Sequence, residues 1–100
     1  MEPHVLAELQ RSYDLVADEY VARIFDELSH KPLDRALLDR LATQAAPLGP
    51  ICDAGCGPGH VARYLRERGA EVFGIDLSAE MVARARTLSP DITFQEGDLR

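Results

Sequence analysis

Residues 51–59 read Ile51-Cys52-Asp53-Ala54-Gly55-Cys56-Gly57-Pro58-Gly59, and this stretch decides the fold. Ile51 to Ala54 is a short apolar run with the look of a strand, and Gly55 to Gly59 is a turn with three glycines in five residues. His60 to Arg68 follows with Val61, Tyr64 and Leu65 at helical spacing, and Gly69 is placed to end that helix as its C′ residue. A strand that runs into a glycine-rich turn and then a helix is the opening of a βαβ unit.

The same rhythm continues downstream. Glu71 to Asp76, with Val72, Phe73 and Ile75, reads as a second strand. Ser78 offers an N-cap, Glu80 suits the positive end of the helix dipole, and Met81, Val82 and Ala85 mark a buried helical face that Pro90 terminates. Ile92, Thr93, Phe94 and Gln95 then alternate apolar and polar, as a strand with one wetter face does.

Upstream, Tyr13, Ala17, Tyr20, Ile24 and Leu28 recur at steps of three or four beside Val16, Val21 and Phe25, which predicts an amphipathic helix capped by Ser12. Pro32 suits a first helical position; Leu33, Leu37, Leu38, Leu41 and Ala45 form one face, and Arg35 and Asp39 make an i,i+4 pair. Pro47, Gly49 and Pro50 end that helix. The expected fold is α/β: a Rossmann-like doubly wound sheet, represented by an N-terminal βαβαβ portion over residues 50–100 and preceded by two helices within 1–47. All of it is expected to lie in one domain, residues 1–100.

Composition narrows the function. One hundred residues with 46% hydrophobic and 28% charged side chains suit a small globular domain. The net charge is -6, Lys31 is the sole lysine and the arginines are interleaved with acids, which disfavours nucleic-acid binding by backbone neutralisation. No run approaches the roughly 18 apolar residues of a membrane span, and Met1-Glu2-Pro3 lacks a signal-peptide profile, so a cytoplasmic location and no membrane partner are expected. Cys52 and Cys56 read as free thiols; with His60 they fall short of zinc's four ligands, and no metal is expected.

In a doubly wound sheet the groove outside the strands' carboxyl ends is the ligand site, and the 55–59 turn would be its floor. Asp76, at the end of the next strand, is set to accept hydrogen bonds from a vicinal diol. Gly57-Pro58-Gly59-His60-Val61-Ala62 also satisfies the dinucleotide pattern, so an NAD(P)-dependent oxidoreductase stands as an alternative. Asp53 two residues before the first glycine, Gly97-Asp98 just past the third strand and a Tyr-rich helix before the sheet favour something else.

Together these features resemble the class I S-adenosylmethionine-dependent methyltransferases. ICDAGCGPG matches their first motif, Asp76 their ribose-binding acid and Asp98 their adenine-binding acid. YDLVADEY, from Tyr13 to Tyr20, is similar to a Y-D-x-x-A-x-x-Y helix of bacterial members that act on small molecules. The resemblance covers most of the chain from Ser12 onward. It implies that Gly55, Cys56, Gly57 and Gly59 wrap the methionine part of S-adenosyl-L-methionine, with Asp53 holding the ammonium. Asp76 would take the ribose hydroxyls, Leu77 and Met81 the adenine faces, Asp98 the adenine amino group and the Leu99 backbone N–H a ring nitrogen, while Tyr20 closes over the methionine carboxylate.

The implied reaction is methyl transfer to a small-molecule acceptor, an in-line displacement in which positioning can do much of the work. Cys56 has no His with an orienting acid to make it a nucleophile, and His4, His30 and His60 are given no role. The family's sheet has seven strands in the order 3-2-1-4-5-7-6, so this chain is expected to be the N-terminal part of a longer methyltransferase. Acceptor-binding residues and any general base would then lie elsewhere, and no catalytic residue is assigned. Strand 51–54 would be left as an edge open to a second copy, which makes a homo-oligomer, or a non-catalytic assembly module, a third reading.

Overall fold

A computed structural model describes residues 3–98, apart from the side chains of residues 9, 10, 12–14, 16 and 17. The described residues fall into two compact units, one ending at Lys31 and the other beginning at Pro32.

The first unit is a single long helix, α1 (Pro3–Glu27), closed by a 3-10 turn at Leu28–His30. Proline is tolerated at the first turn because its missing N–H has no helical partner there. From His4 onward no glycine or proline interrupts the run, so the helix starts well before Ser12; the expected cap at Ser12 is replaced by a start at Pro3. The stripe's Tyr13, Val16 and Ala17 side chains lie outside the described residues; Val21 is buried, and Ile24 and Phe25 are half-buried.

In the second unit, α2 (Pro32–Ala45) leads to three strands, β1 (Ile51–Ala54), β2 (Val72–Asp76) and β3 (Thr93–Glu96), crossed over by α3 (His60–Glu67) and α4 (Ala79–Leu88). The strands are parallel in the order β1-β2-β3. Helix α2 belongs to the same compact unit as the sheet and packs on α3. Ser78 caps α4, its Oγ accepting from the Met81 N–H at 3.2 Å, and Gly69 takes a positive φ just past α3.

Register sorts the side chains into rows. Asp53 stands opposite Gly74, and Gly74 opposite Phe94; Cys52, Phe73 and Thr93 form a row of opposite parity. The Phe94 row is covered by α3 and α4: Cys56, Ala62, Val82, Ala85, Ile92 and Phe94 make one buried cluster. A second cluster joins α2 to α3 through Ala42, Leu65 and Ala70, with Leu38, Ile51, Val61 and Val72 against it.

The Phe94 ring explains two glycines. A Cβ on Gly74 would lie 2.6 Å from Phe94 Cδ1 and 2.8 Å from Cys56 Sγ, and one on Gly59 would lie 2.7 Å from Phe94 Cζ. On the far side of β3, the Arg86 guanidinium donates to the Phe94 carbonyl through Nε at 3.1 Å and Nη2 at 2.8 Å.

One expectation for α2 changes and another is extended. Leu33, Leu37 and Leu41 are 72%, 61% and 42% exposed, while Ala42 and Leu38 turn inward: spacing identifies an apolar stripe but not which edge of it is covered. The Arg35 charge acts on Asp39, as their i,i+4 spacing leads one to expect, and Asp39 also has partners on α3. It accepts from Tyr64 Oη at 2.8 Å and from Arg68 Nε at 2.6 Å, and the Arg68 guanidinium stacks over the Tyr64 ring, so α2 is pinned to α3 by a shared cluster. Those hydrogen bonds, Tyr64 first, hold the Asp39 carboxyl below its ordinary range.

Candidate functional site

The groove lies at the carboxyl ends of β1 and β2, where the 55–59 turn leaves the sheet and α3 begins. Its floor is held by its own backbone. The N–H groups of Gly55 and Cys56 both donate to the Ile75 carbonyl at 2.8 and 3.1 Å, Gly59 donates to the Cys56 carbonyl at 3.0 Å, and Gly57 donates to Asp76 Oδ2 at 2.8 Å. Pro58 has no N–H. Every amide between Gly55 and Gly59 is therefore committed inside the protein.

The three glycines divide by environment. Open space lies where a Cβ of Gly55 or Gly57 would point, whereas the space at Gly59 is filled by Phe94. Gly59 also carries φ +86°, in the left-handed region, as it turns the chain into α3. The lack of a side chain at Gly59 thus serves the core, which the local pattern alone does not reveal.

Cys56 turns away from the groove as well. Its side chain is 2% exposed and packed in the core cluster, and burial, aided by the charges of Asp53 and Asp76, pushes its thiol up to about 11. It is a neutral packing group with no nucleophilic character at neutral pH.

Asp53 sits on the helix-covered side of β1. Its Oδ2 is buried and accepts no hydrogen bond. Burial raises its pKa, with the Asp76 charge adding to this, while the Ala62 backbone N–H in the first turn of α3 acts the other way. A buried carboxylate oxygen without a donor is costly unless a cation or donor arrives to meet it. Asp76 ends β2, and its second oxygen, Oδ1, accepts from the Ser78 N–H at 2.8 Å. The diol expected at Asp76 would therefore share a carboxylate whose two oxygens each hold one bond already.

Beyond β2, Leu77 is 64% exposed at the start of the turn into α4 and Met81 is half-buried in that helix. Asp98 is exposed just past β3, where the Gly97 N–H donates to the Asp76 carbonyl at 3.0 Å. Leu99 lies outside the described residues. Tyr20 is half exposed on α1, in the other unit, and the groove as described is built from the second unit alone. Among the described residues no group of three or more His, Cys, Asp or Glu is placed to hold a metal, and no helix is long and apolar enough to cross a membrane.

These features define an open α/β domain of the doubly wound type, with its ligand floor at the strands' carboxyl ends. Residues 51–100 match the family described as a methyltransferase domain, and the chain belongs to that family. It is 46% identical over 72 residues to malonyl-(acyl-carrier protein) O-methyltransferase of Enterobacter lignolyticus, covering 70% of this chain and 29% of that protein. It is 36% identical over 92 residues to trans-aconitate 2-methyltransferase of an Azoarcus species, covering 90% of this chain and 32% of that one. The solved structure of a TehB-like SAM-dependent methyltransferase from Corynebacterium glutamicum aligns with a TM-score of 0.62 at 31% identity, over 86% of this chain and 47% of its own. The chain thus spans about a third or less of the length of these curated relatives.

Proposed function

We propose that this chain supplies the cofactor-binding portion of an S-adenosylmethionine-dependent methyltransferase acting on a small-molecule acceptor. The observation that carries the reading is the polarity of the groove. A pyrophosphate needs free backbone N–H groups at a glycine turn and a helix N-terminus. Here the turn's amides are spent internally, and the helix behind them is faced by the Asp53 carboxylate. Such a floor disfavours a dinucleotide and favours a cationic ligand. The orphaned Asp53 oxygen fits the ammonium of an aminoacyl group, and the open side of Gly55 and Gly57 leaves room for the chain that carries it.

When bound, the cofactor supplies an electrophilic methyl on a sulfonium. The protein's part is to hold and orient. Asp53 would take the ammonium, and Gly55, Cys56, Gly57 and Gly59 the methionine chain, Cys56 through its backbone and Gly59 by shaping the turn. Asp76 would take the ribose diol, Leu77 and Met81 the adenine faces, and Asp98 the adenine amino group. The names of the relatives point to acyl-carrier-bound and free small acids as acceptors to try first.

Calorimetry with S-adenosylhomocysteine on the folded protein tests the reading. Heat of binding is expected with it and none with NADH; a melting temperature raised by NADH alone would reverse the assignment. A second reading, association of two copies through β1, rests on that strand pairing with β2 alone among the described residues. It predicts stable dimers by light scattering.

The site also predicts a pH dependence. Because the pKa of Asp53 is raised above its ordinary 3.8, it takes up a proton on acidification earlier than an exposed carboxylate. Affinity for S-adenosylhomocysteine is expected to fall as the pH drops through that raised value. The contribution of Asp53 to folding has the opposite sign: the folded state binds this proton more tightly than the unfolded one, so it adds stability at low pH and loses it as the pH rises through the raised value. Titrating affinity by calorimetry, with Asp53→Asn as the pH-insensitive control, measures the first effect.

A further inference from the structure

Asp76 is shared between the two turns that border the groove. Oδ2 accepts from the Gly57 N–H and Oδ1 from the Ser78 N–H, both at 2.8 Å. The Ser78 bond is local and opens α4, whereas the Gly57 bond reaches across 19 positions in sequence to a turn hung from a different strand. Bonds from N–H to an ionised carboxylate are the stronger kind. Packing does not fix Gly57 on its open side, where no atom lies within 4 Å of a built Cβ. Each carboxylate oxygen has two lone pairs, so each keeps one for another donor after these bonds are made.

We propose that Asp76 is a positioning residue for the glycine turn: its carboxylate holds Gly57 in place before any ligand enters and couples the turn to the diol subsite through one rigid group. The coupling rests on the cofactor reading given above, whereas the tether stands on the ligand-free geometry. Losing the carboxylate then harms binding of the aminoacyl part of a ligand even when that ligand has no diol.

Amide hydrogen exchange tests the tether without ligand. In the wild-type protein the Gly57 amide is expected to exchange at least about tenfold more slowly than a free glycine amide. In Asp76→Asn, which retains the shape but has only one acceptor oxygen, it is expected to speed up about tenfold relative to the Cys56 amide. Exchange of Gly57 at its free rate in the wild type overturns the tether, whatever the fate of the variant. The coupling is tested with S-adenosylhomocysteine and its 2′,3′-dideoxy analogue on both proteins by calorimetry. A purely ribose-binding Asp76 predicts equal affinity of the two proteins for the dideoxy analogue; the tether predicts about tenfold weaker binding by Asp76→Asn. Equal affinities overturn the coupling. If neither protein binds S-adenosylhomocysteine while the Gly57 amide still responds to Asp76→Asn, the cofactor reading fails and the tether survives.

Discussion

Truncation of Phe94 to alanine is expected to lower the stability of the sheet unit by about 3–5 kcal/mol, the usual cost of deleting a buried aromatic ring. That is a large share of the roughly 5–15 kcal/mol that holds a domain together. The ring is 2% exposed and fills the space beside two glycines at once. Gly59→Ala should cost about 1–2 kcal/mol for its left-handed backbone and about another 1–3 kcal/mol for forcing a methyl into Phe94. In the Phe94→Ala background the second part should vanish, because the remaining neighbour, Ala85 Cβ, lies at an ordinary 3.4 Å. Urea titrations of the four proteins give this cycle directly. Additive costs would mean that Gly59 is required for the turn alone.

Asp53→Asn is expected to move two quantities in opposite directions. Affinity for S-adenosylhomocysteine should fall about 10- to 100-fold, the scale of one hydrogen bond to a charged group. Thermal stability should hold or rise, because burial penalises the charged form and the amide keeps an acceptor towards the Ala62 N–H. A groove residue that weakens the fold while serving a ligand gives this pattern. If the variant melted earlier and bound equally well, Asp53 would be a structural anchor of α3 and not a ligand group.

Much of this was legible in the chain because glycine and proline punctuate it. The βαβαβ order, the Ser78 cap and the end of α3 at Gly69 all follow from local rules that involve a few neighbouring residues. What escaped reading depends on partners distant in sequence. Asp39 finds Tyr64 and Arg68 on another helix; Gly59 owes its identity to Phe94, 35 positions on; and Leu33, Leu37 and Leu41 form a stripe whose periodicity says nothing of what covers it. Within the site, Asp53 and Asp76 could be named from their places at strand ends. The unpartnered oxygen of one and the double engagement of the other required coordinates. The start of α1 differs from the expected one for a simpler reason: Ser12 is a residue type that caps well, but nothing before it stops a helix that begins at Pro3.

The guanidinium of Arg86 on the Phe94 carbonyl guards one rim of the sheet. On the β3 rim a backbone acceptor is already occupied by a charged side chain reaching round from α4. On the other rim, β1 pairs with β2 alone among the described residues. A strand arriving at β3 would have to displace that arginine. Extension of the sheet is therefore resisted at its third strand.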